Sequence, residues 1–179
     1  MGANTRFRER NGAERACFDA MGPSNDPRLD RTTPLRPGNA VAAIIMVEGA
    51  YLLQLRDNKR GIFFPAHWGC FGGAVEPGES KEQALARELH EELGAEFAPA
   101  SFRYFTRFDF DIGFAGLDPI WRYFYEIELG SAALAHLRLH EGSAMRLCAT
   151  DEILSGAIQL TPYDAFALWF HINRRRLIA

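Results

Sequence analysis

Two apolar runs, AVAAIIMV and YLLQLRD, flank a short turn at Glu48 to Ala50, a spacing that predicts a β-hairpin whose first strand is buried on both faces. Further on, SFRYFTRFDFDI and PIWRYFYEIEL alternate aromatic with polar positions on either side of GFAGLD and read as paired strands. AMRLCAT reads as a last short strand. The period shifts to that of a helix between Lys81 and Leu93, where Leu85, Leu89 and Leu93 form one stripe. Ser80 and Gln83 make a capping box at its start, and Gly94 supplies a left-handed stop. DEILSGAI suggests a helical turn. TPYDAFALWFHINRRR predicts a long helix with Thr161 as cap, Pro162 in the first turn and arginines near its negative end. DNKRGIFFPAHW, broken by Gly61 and Pro65, reads as a loop, and GCFGGAV leads from it into the first helix through paired glycines. Residues 1–38 are polar, rich in Arg, Asp and Pro and without apolar period, so a flexible arm is expected there and one folded domain over 39–179.

Composition narrows the class. With 179 residues, 47% apolar and 24% charged, the chain is large enough for one buried core. A net charge of −3 offers no positive footprint for duplex nucleic acid. No apolar run nears the roughly 18 residues that span a bilayer, and the opening residues lack the apolar centre of a secretory signal. A soluble, cytoplasmic protein without a membrane partner is therefore expected. Three cysteines, Cys17, Cys70 and Cys148, lack metal-type spacing and suggest reduced thiols. An anionic substrate would need a cation to mediate its binding.

Such a cation has a candidate site. Glu88, Glu91 and Glu92 are related by i, i+3 and i+4 and converge on one face of the first helix, beside its leucine stripe. Three carboxylates within a turn repel one another, and a divalent ion would remove the conflict. Oxygen donors without His or Cys point to a hard ion, Mg²⁺ or Mn²⁺. Arg87 can pair with Glu88 or Glu91 and orient it. Gly72 and Gly73 permit close backbone approach, so that a bare carbonyl could join the ion's shell, while Pro77 and Gly78 turn Glu79 toward the helix entrance. A solvated acidic helix face would carry the same three glutamates, so the wider pattern has to decide.

That pattern is Gly73, five residues, Glu79, seven residues, Arg87-Glu88-Leu89, His90, Glu91-Glu92, Leu93, Gly94, Ala95, and it resembles the signature of the Nudix hydrolase family along its whole length. Ala95 stands where a larger aliphatic residue is usual, and Phe71 where many relatives have proline. The resemblance implies an α/β/α sandwich around a mixed β-sheet. It also implies metal binding by Glu88, Glu91 and Glu92 with the Gly73 backbone, orientation of Glu88 by Arg87, and support of helix and loop by Glu79. The implied reaction is Mg²⁺- or Mn²⁺-dependent hydrolysis of the pyrophosphate bond of a nucleoside diphosphate derivative, a nucleotide sugar or a nucleoside triphosphate. Glu88, Glu91 and Glu141 are the candidates for general base, Glu141 lying in LRLHEGSAM, where many relatives carry an extra acidic residue.

For substrate contact the sequence offers Trp68 as a stacking surface, within the set Trp68, Phe108, Phe110, Trp121, Tyr123 and Tyr125, and Arg107 and Arg122 for phosphate or sugar oxygens. Homodimers formed at a sheet edge or by a swapped arm are a family habit that makes the N-terminal lead a suspect. Two alternatives stand beside the hydrolase. One is a non-catalytic Nudix-like module that binds a nucleotide and regulates a partner. The other is an enzyme like the isopentenyl diphosphate isomerases, which share the fold and use a cysteine near the position of Cys70; with the glutamate box complete, Cys70 reads as a small buried hydrophobe.

Overall fold

A computed structural model describes residues 37–177. The arm expected over 1–38 and Cys17 therefore lie outside the described residues, apart from Pro37 and Gly38. Among these residues the six strands are β1 (Ala40–Val47), β2 (Ala50–Leu55), β3 (Trp68–Gly69), β4 (Arg103–Phe110), β5 (Ile120–Leu129) and β6 (Ala144–Cys148). The helices are α1 (Lys81–Leu93), α2 (Ser131–Leu134), α3 (Thr150–Leu154) and α4 (Pro162–Leu177). The sheet runs β3-β2-β1-β5-β4, with β6 against β2. It is mixed because β1 and β5 are parallel while the other pairs are antiparallel.

β1 is buried almost throughout, as a central strand covered on both faces must be. Alternate residues feed two cores. Val41, Ala43 and Ile45 pack with Leu52 and the α1 leucines, while Ala42 and Ile44 pack with Leu53, Phe124 and Leu168 of α4. Helices thus cover both faces of a mixed sheet, the expected sandwich.

One irregularity matters for function. β2 pairs with β1 only from Ile45 to Val47, and the two strands then part. Residues 68–74 enter the opening: Trp68 and Gly69 pair with Leu55 and Gln54, and Phe71 and Ala74 bridge to Ala43 and Ala40. The segment expected to be wholly loop up to Trp68 therefore ends in a short strand, whose partners are supplied by distant chain. Gly72 follows at φ 126°, and a Cβ there would lie 2.4 Å from the Val41 carbonyl oxygen, so only glycine lets the segment lie flat on β1.

The other expected elements form where the sequence placed them. β1 and β2 make the hairpin, with Ala50 already in the second strand; β4 and β5 pair; and α3 takes in the DEIL of DEILSGAI. A register shift between Tyr104 and Thr106 turns Phe105 onto α4, against Phe170 and His171. Thr161 precedes α4 and its carbonyl accepts from Ala165 N–H, while its hydroxyl donates to Asp164 Oδ2 (2.8 Å). Helix α2 was not signalled by any period; at four residues it is too short to show one.

Candidate active site

Helix α1 has the bounds its sequence dictates. Ser80 Oγ accepts from Gln83 N–H, Gln83 returns the bond to Ser80 N–H, and Gly94 closes the helix at φ 64°. Leu85, Leu89 and Leu93 are fully buried against the sheet, and this fixes the rotation of the helix. The three glutamates consequently differ. Glu92, one step from the leucine stripe, is 5% exposed, whereas the Glu91 side chain is 51% exposed and Glu88 lies between them.

Arg87 organises the exposed side. Its Nε and Nη2 donate to Glu79 Oε1 (2.7 Å) and Oε2 (3.1 Å), its Nη1 to Glu88 Oε1 (2.9 Å) and Glu91 Oε2 (3.3 Å), and Nη2 again to the Ala74 carbonyl (3.0 Å). All the donors of the guanidinium are thereby directed at acceptors from the loop and the helix. Glu79 also accepts from Glu76 N–H (3.1 Å), and its carboxyl is held below its usual range, chiefly by the Arg87 bonds.

Glu88 lies against Gly73: a Cβ at Gly73 would sit 2.4 Å from Glu88 Oε2. Burial raises the Glu88 carboxyl against the opposing pull of Arg87, and the charges of Glu91 and Glu141 raise it further. Glu92 is held differently. Gln54 Nε2 donates to its Oε1 (2.6 Å) and Gly72 N–H to its Oε2 (2.7 Å), so both partners are neutral. Burial, with the charges of Glu88 and Glu141 added, pushes its carboxyl up to about 7.

Glu141 reaches this group through backbone geometry. Arg138 N–H donates to the Leu93 carbonyl (2.9 Å) and His140 N–H to the Glu92 carbonyl (2.8 Å), which satisfies the open end of α1. Ser143 N–H then ties the turn to the Leu55 carbonyl (2.8 Å). An exposed turn residue far along the chain is thus brought within electrostatic range of Glu88 and Glu92.

The donor chemistry fits a hard divalent cation. Glu88, Glu92 and Glu141 place negative charge together, Glu92 is bonded only by neutral donors, and the bare face of Gly73 admits the Glu88 carboxylate where any side chain would displace it. Among the described residues no three His, Cys, Asp or Glu side chains are already gathered around one point, since Glu88 and Glu91 face Arg87. The Gly73 carbonyl, expected to be bare, accepts from Val41 N–H (2.9 Å), which leaves its second lone pair.

The residues expected to touch substrate are not assembled on one surface. Arg122 shares a strand face with Phe124 and turns toward α4, where it is 13% exposed, lies 4.7 Å from the centre of the Tyr163 ring and pairs with Asp164 Oδ1 (3.3 Å). Trp68 borders the same segment, its N–H donating to Gln159 and its carbonyl accepting from Thr161, and Arg146 lies 5.0 Å from its ring centre. Arg107 is on the opposite face, exposed, donating to Tyr123 Oη (3.1 Å) and Asp109 (3.1 Å). The aromatic set also divides: Phe108 packs on Phe124 and Phe166, Trp121 and Tyr123 lie under Lys81, and Tyr125 is buried with its hydroxyl donating to Glu82 (2.6 Å). Sequence reasoning missed Gln54, whose only signal is a lone amide in an apolar strand, and Asp164, which accepts from Cys70 N–H (3.0 Å) and Thr161 Oγ1. Cys70 and Cys148 are buried and unpaired, and burial raises both thiols, Cys70 strongly.

Comparison with known proteins agrees with this architecture. The family model described as NUDIX domain matches residues 36–168. Nucleoside triphosphatase NudI of Enterobacter sp. (strain 638) is 48% identical over 60 residues, a stretch covering 34% of this chain and 42% of that protein, and the Escherichia coli K12 NudI matches to the same extent. The chain thus matches less than half the length of these curated relatives. The solution structure of the E. coli ORF135 protein is similar over 78% of this chain and 92% of that one, at 30% identity and a TM-score of 0.58. A MutT NUDIX hydrolase from Burkholderia pseudomallei shares the fold at 24% identity and a TM-score of 0.57, over 74% and 96% of the two chains.

Proposed function

Since the chain belongs to the Nudix hydrolase family, we propose that it is a divalent-metal-dependent enzyme that hydrolyses the pyrophosphate bond of a nucleoside diphosphate derivative, a nucleoside triphosphate foremost. The observation that carries this reading is Glu92: a buried carboxylate bonded only by neutral donors and faced by the charges of Glu88 and Glu141. Glu88, Glu91 and Glu92, with the Gly73 carbonyl, would hold Mg²⁺ or Mn²⁺. When bound, such an ion neutralises phosphate oxygens and lowers the pKa of a water at its site.

The chain's own residues do the rest. Arg87 holds Glu79, Glu88 and Glu91 in one array and fixes the loop at Ala74. The general base is one of the carboxylates Glu88, Glu91 and Glu141, each of which borders the charge cluster. Arg107 is the exposed cation of the three expected substrate contacts, and its role is phosphate or sugar binding. Trp68 and Arg122, on the side of the sheet covered by α4 and away from the glutamates of α1, are kept as proposed substrate contacts on the strength of the sequence alone. The preference for a triphosphate over a nucleotide sugar follows the similarity, over 60 residues, to proteins named as nucleoside triphosphatases.

The test is product release from a panel of nucleoside triphosphates, nucleotide sugars and dinucleotides, with Mg²⁺ or Mn²⁺ and with EDTA. Metal-dependent release of pyrophosphate and nucleoside monophosphate from triphosphates is the expected result. Cleavage of nucleotide sugars alone would move the substrate class, and nucleotide binding without any cleavage would overturn the enzyme in favour of a regulatory module.

A further inference from the structure

We propose that Gln54 is a positioning residue for the candidate metal site, its side-chain amide fixing Glu92 and the turn that carries Glu141 in a single arrangement. The inference rests on the hydrolase reading above and names one residue that makes its site.

Gln54 is a polar residue inside an apolar strand. β2 reads AYLLQL, and alternation puts Gln54 on the face of Leu52, toward α1, where it is 3% exposed. A leucine would suit such a position, so the amide requires partners. Its amide nitrogen finds one, and its amide oxygen packs against a turn. Nε2 donates to Glu92 Oε1 at 2.6 Å, and Oε1 faces Gly142, where an added Cβ would lie 2.9 Å from it and equally close to the Leu55 carbonyl oxygen. Gly142 has φ +86°, so both its conformation and its clearance belong to glycine. The turn from Glu141 to Ser143 therefore lies directly on Gln54, anchored by the Ser143 N–H to Leu55 carbonyl bond.

The choice of an amide has a physical reason. Glu88 and Glu91 are oriented by the cationic Arg87, which also neutralises them. Gln54 and Gly72 N–H orient Glu92 with one bond to each oxygen while adding no charge, so its negative charge and remaining lone pairs stay available. The Glu92 backbone is fixed independently by the bond from His140 N–H, and side chain and main chain are thus locked to the two elements that flank Glu141. Partners that orient a metal-binding carboxylate commonly set affinity by 10–100-fold.

The experiment titrates Mn²⁺ into metal-free full-length protein, followed by electron paramagnetic resonance, alongside thermal melting and the nucleotide hydrolysis assay. Gln54→Met keeps the volume and removes the donor, and Gly142→Ala disturbs the other contact from the surface. Mn²⁺ affinity weakened about ten-fold or more in Gln54→Met, at a melting temperature near wild type, is the expected result. Wild-type affinity in a folded Gln54→Met overturns the positioning role, while wild-type hydrolysis leaves the hydrolase standing. If Gln54→Met does not fold, Gly142→Ala decides: weakened Mn²⁺ binding supports the proposal and unchanged binding overturns it. Wild-type protein that neither binds Mn²⁺ nor cleaves nucleotide overturns the hydrolase reading, and this proposal with it.

Discussion

The Cα of Gly73 lies against the Glu88 carboxylate, so closely that a Cβ would come within 2.6 Å of both carboxylate oxygens. The obstructing atoms are the far end of a flexible side chain, so Gly73→Ala displaces Glu88 and leaves the loop in place. We expect nucleotide hydrolysis to fall by roughly 100-fold, the scale of an ångström-sized misplacement at a reacting centre. The melting temperature should stay within a few degrees of wild type, and a parallel fall in both would make the contact structural.

Arg87 joins Glu79, Ala74, Glu88 and Glu91, and a lysine offers a point charge where a planar fork is used. Arg87→Lys should cost about 1–3 kcal/mol of stability in urea unfolding, because acceptors around a half-buried site lose their donors. Glu79→Gln removes charge but keeps an acceptor, and is expected to cost less.

Arg122 and Arg107 look alike in the sequence but sit in opposite environments. Asp164→Ala strands the Arg122 guanidinium without its counter-ion and takes an acceptor from Cys70 N–H, so a loss of about 3–5 kcal/mol is expected. Arg107→Ala should stay within about 0.5 kcal/mol of wild type, as its partners are exposed. A raised KM in Arg107→Ala with an unchanged kcat would identify it as a substrate contact.

His171 supplies a pH dependence away from the candidate site. Its Nδ1 faces Tyr51 Oη (2.9 Å) and Arg174 Nη1 (2.9 Å), and arginine can only donate, so Nδ1 accepts and Nε2–H donates to Glu126 (2.7 Å). Burial, and then the charge of Arg174, lower its pKa to about 4. The unfolded chain takes up this proton near pH 6.5 and the folded one only near 4, so the unfolded state binds more protons in that interval. Stability should therefore fall as pH drops from about 6.5 toward 4. Proton NMR should find His171 neutral at pH 5.5, and His171→Gln should flatten the acid limb of the melting curve. A His171 that titrates near 6.5 would contradict the assignment.

The glutamate box was legible because each of its signals is local. The capping box at Ser80, the stop at Gly94 and the leucine stripe set the bounds and rotation of α1 within a single helix. The paired aromatic strands and the buried hairpin were legible for the same reason. Arg122 was harder: its sequence neighbours place it in an alternating strand, but which face α4 covers is decided by residues more than forty positions away.

Sequence alone therefore determined the bounds and rotation of α1 and which carboxylates share its acidic face, since helix capping, period and charge spacing act over a few residues. Only the tertiary structure decided what each carboxylate experiences. Glu91 and Glu92 are adjacent, yet one faces solvent and Arg87 while the other is buried between Gln54 and Gly72, with the Glu141 charge beside it. Those surroundings come from β2, from the segment filling the gap beside β1, and from the turn at Gly142, three stretches that meet only when the sheet forms.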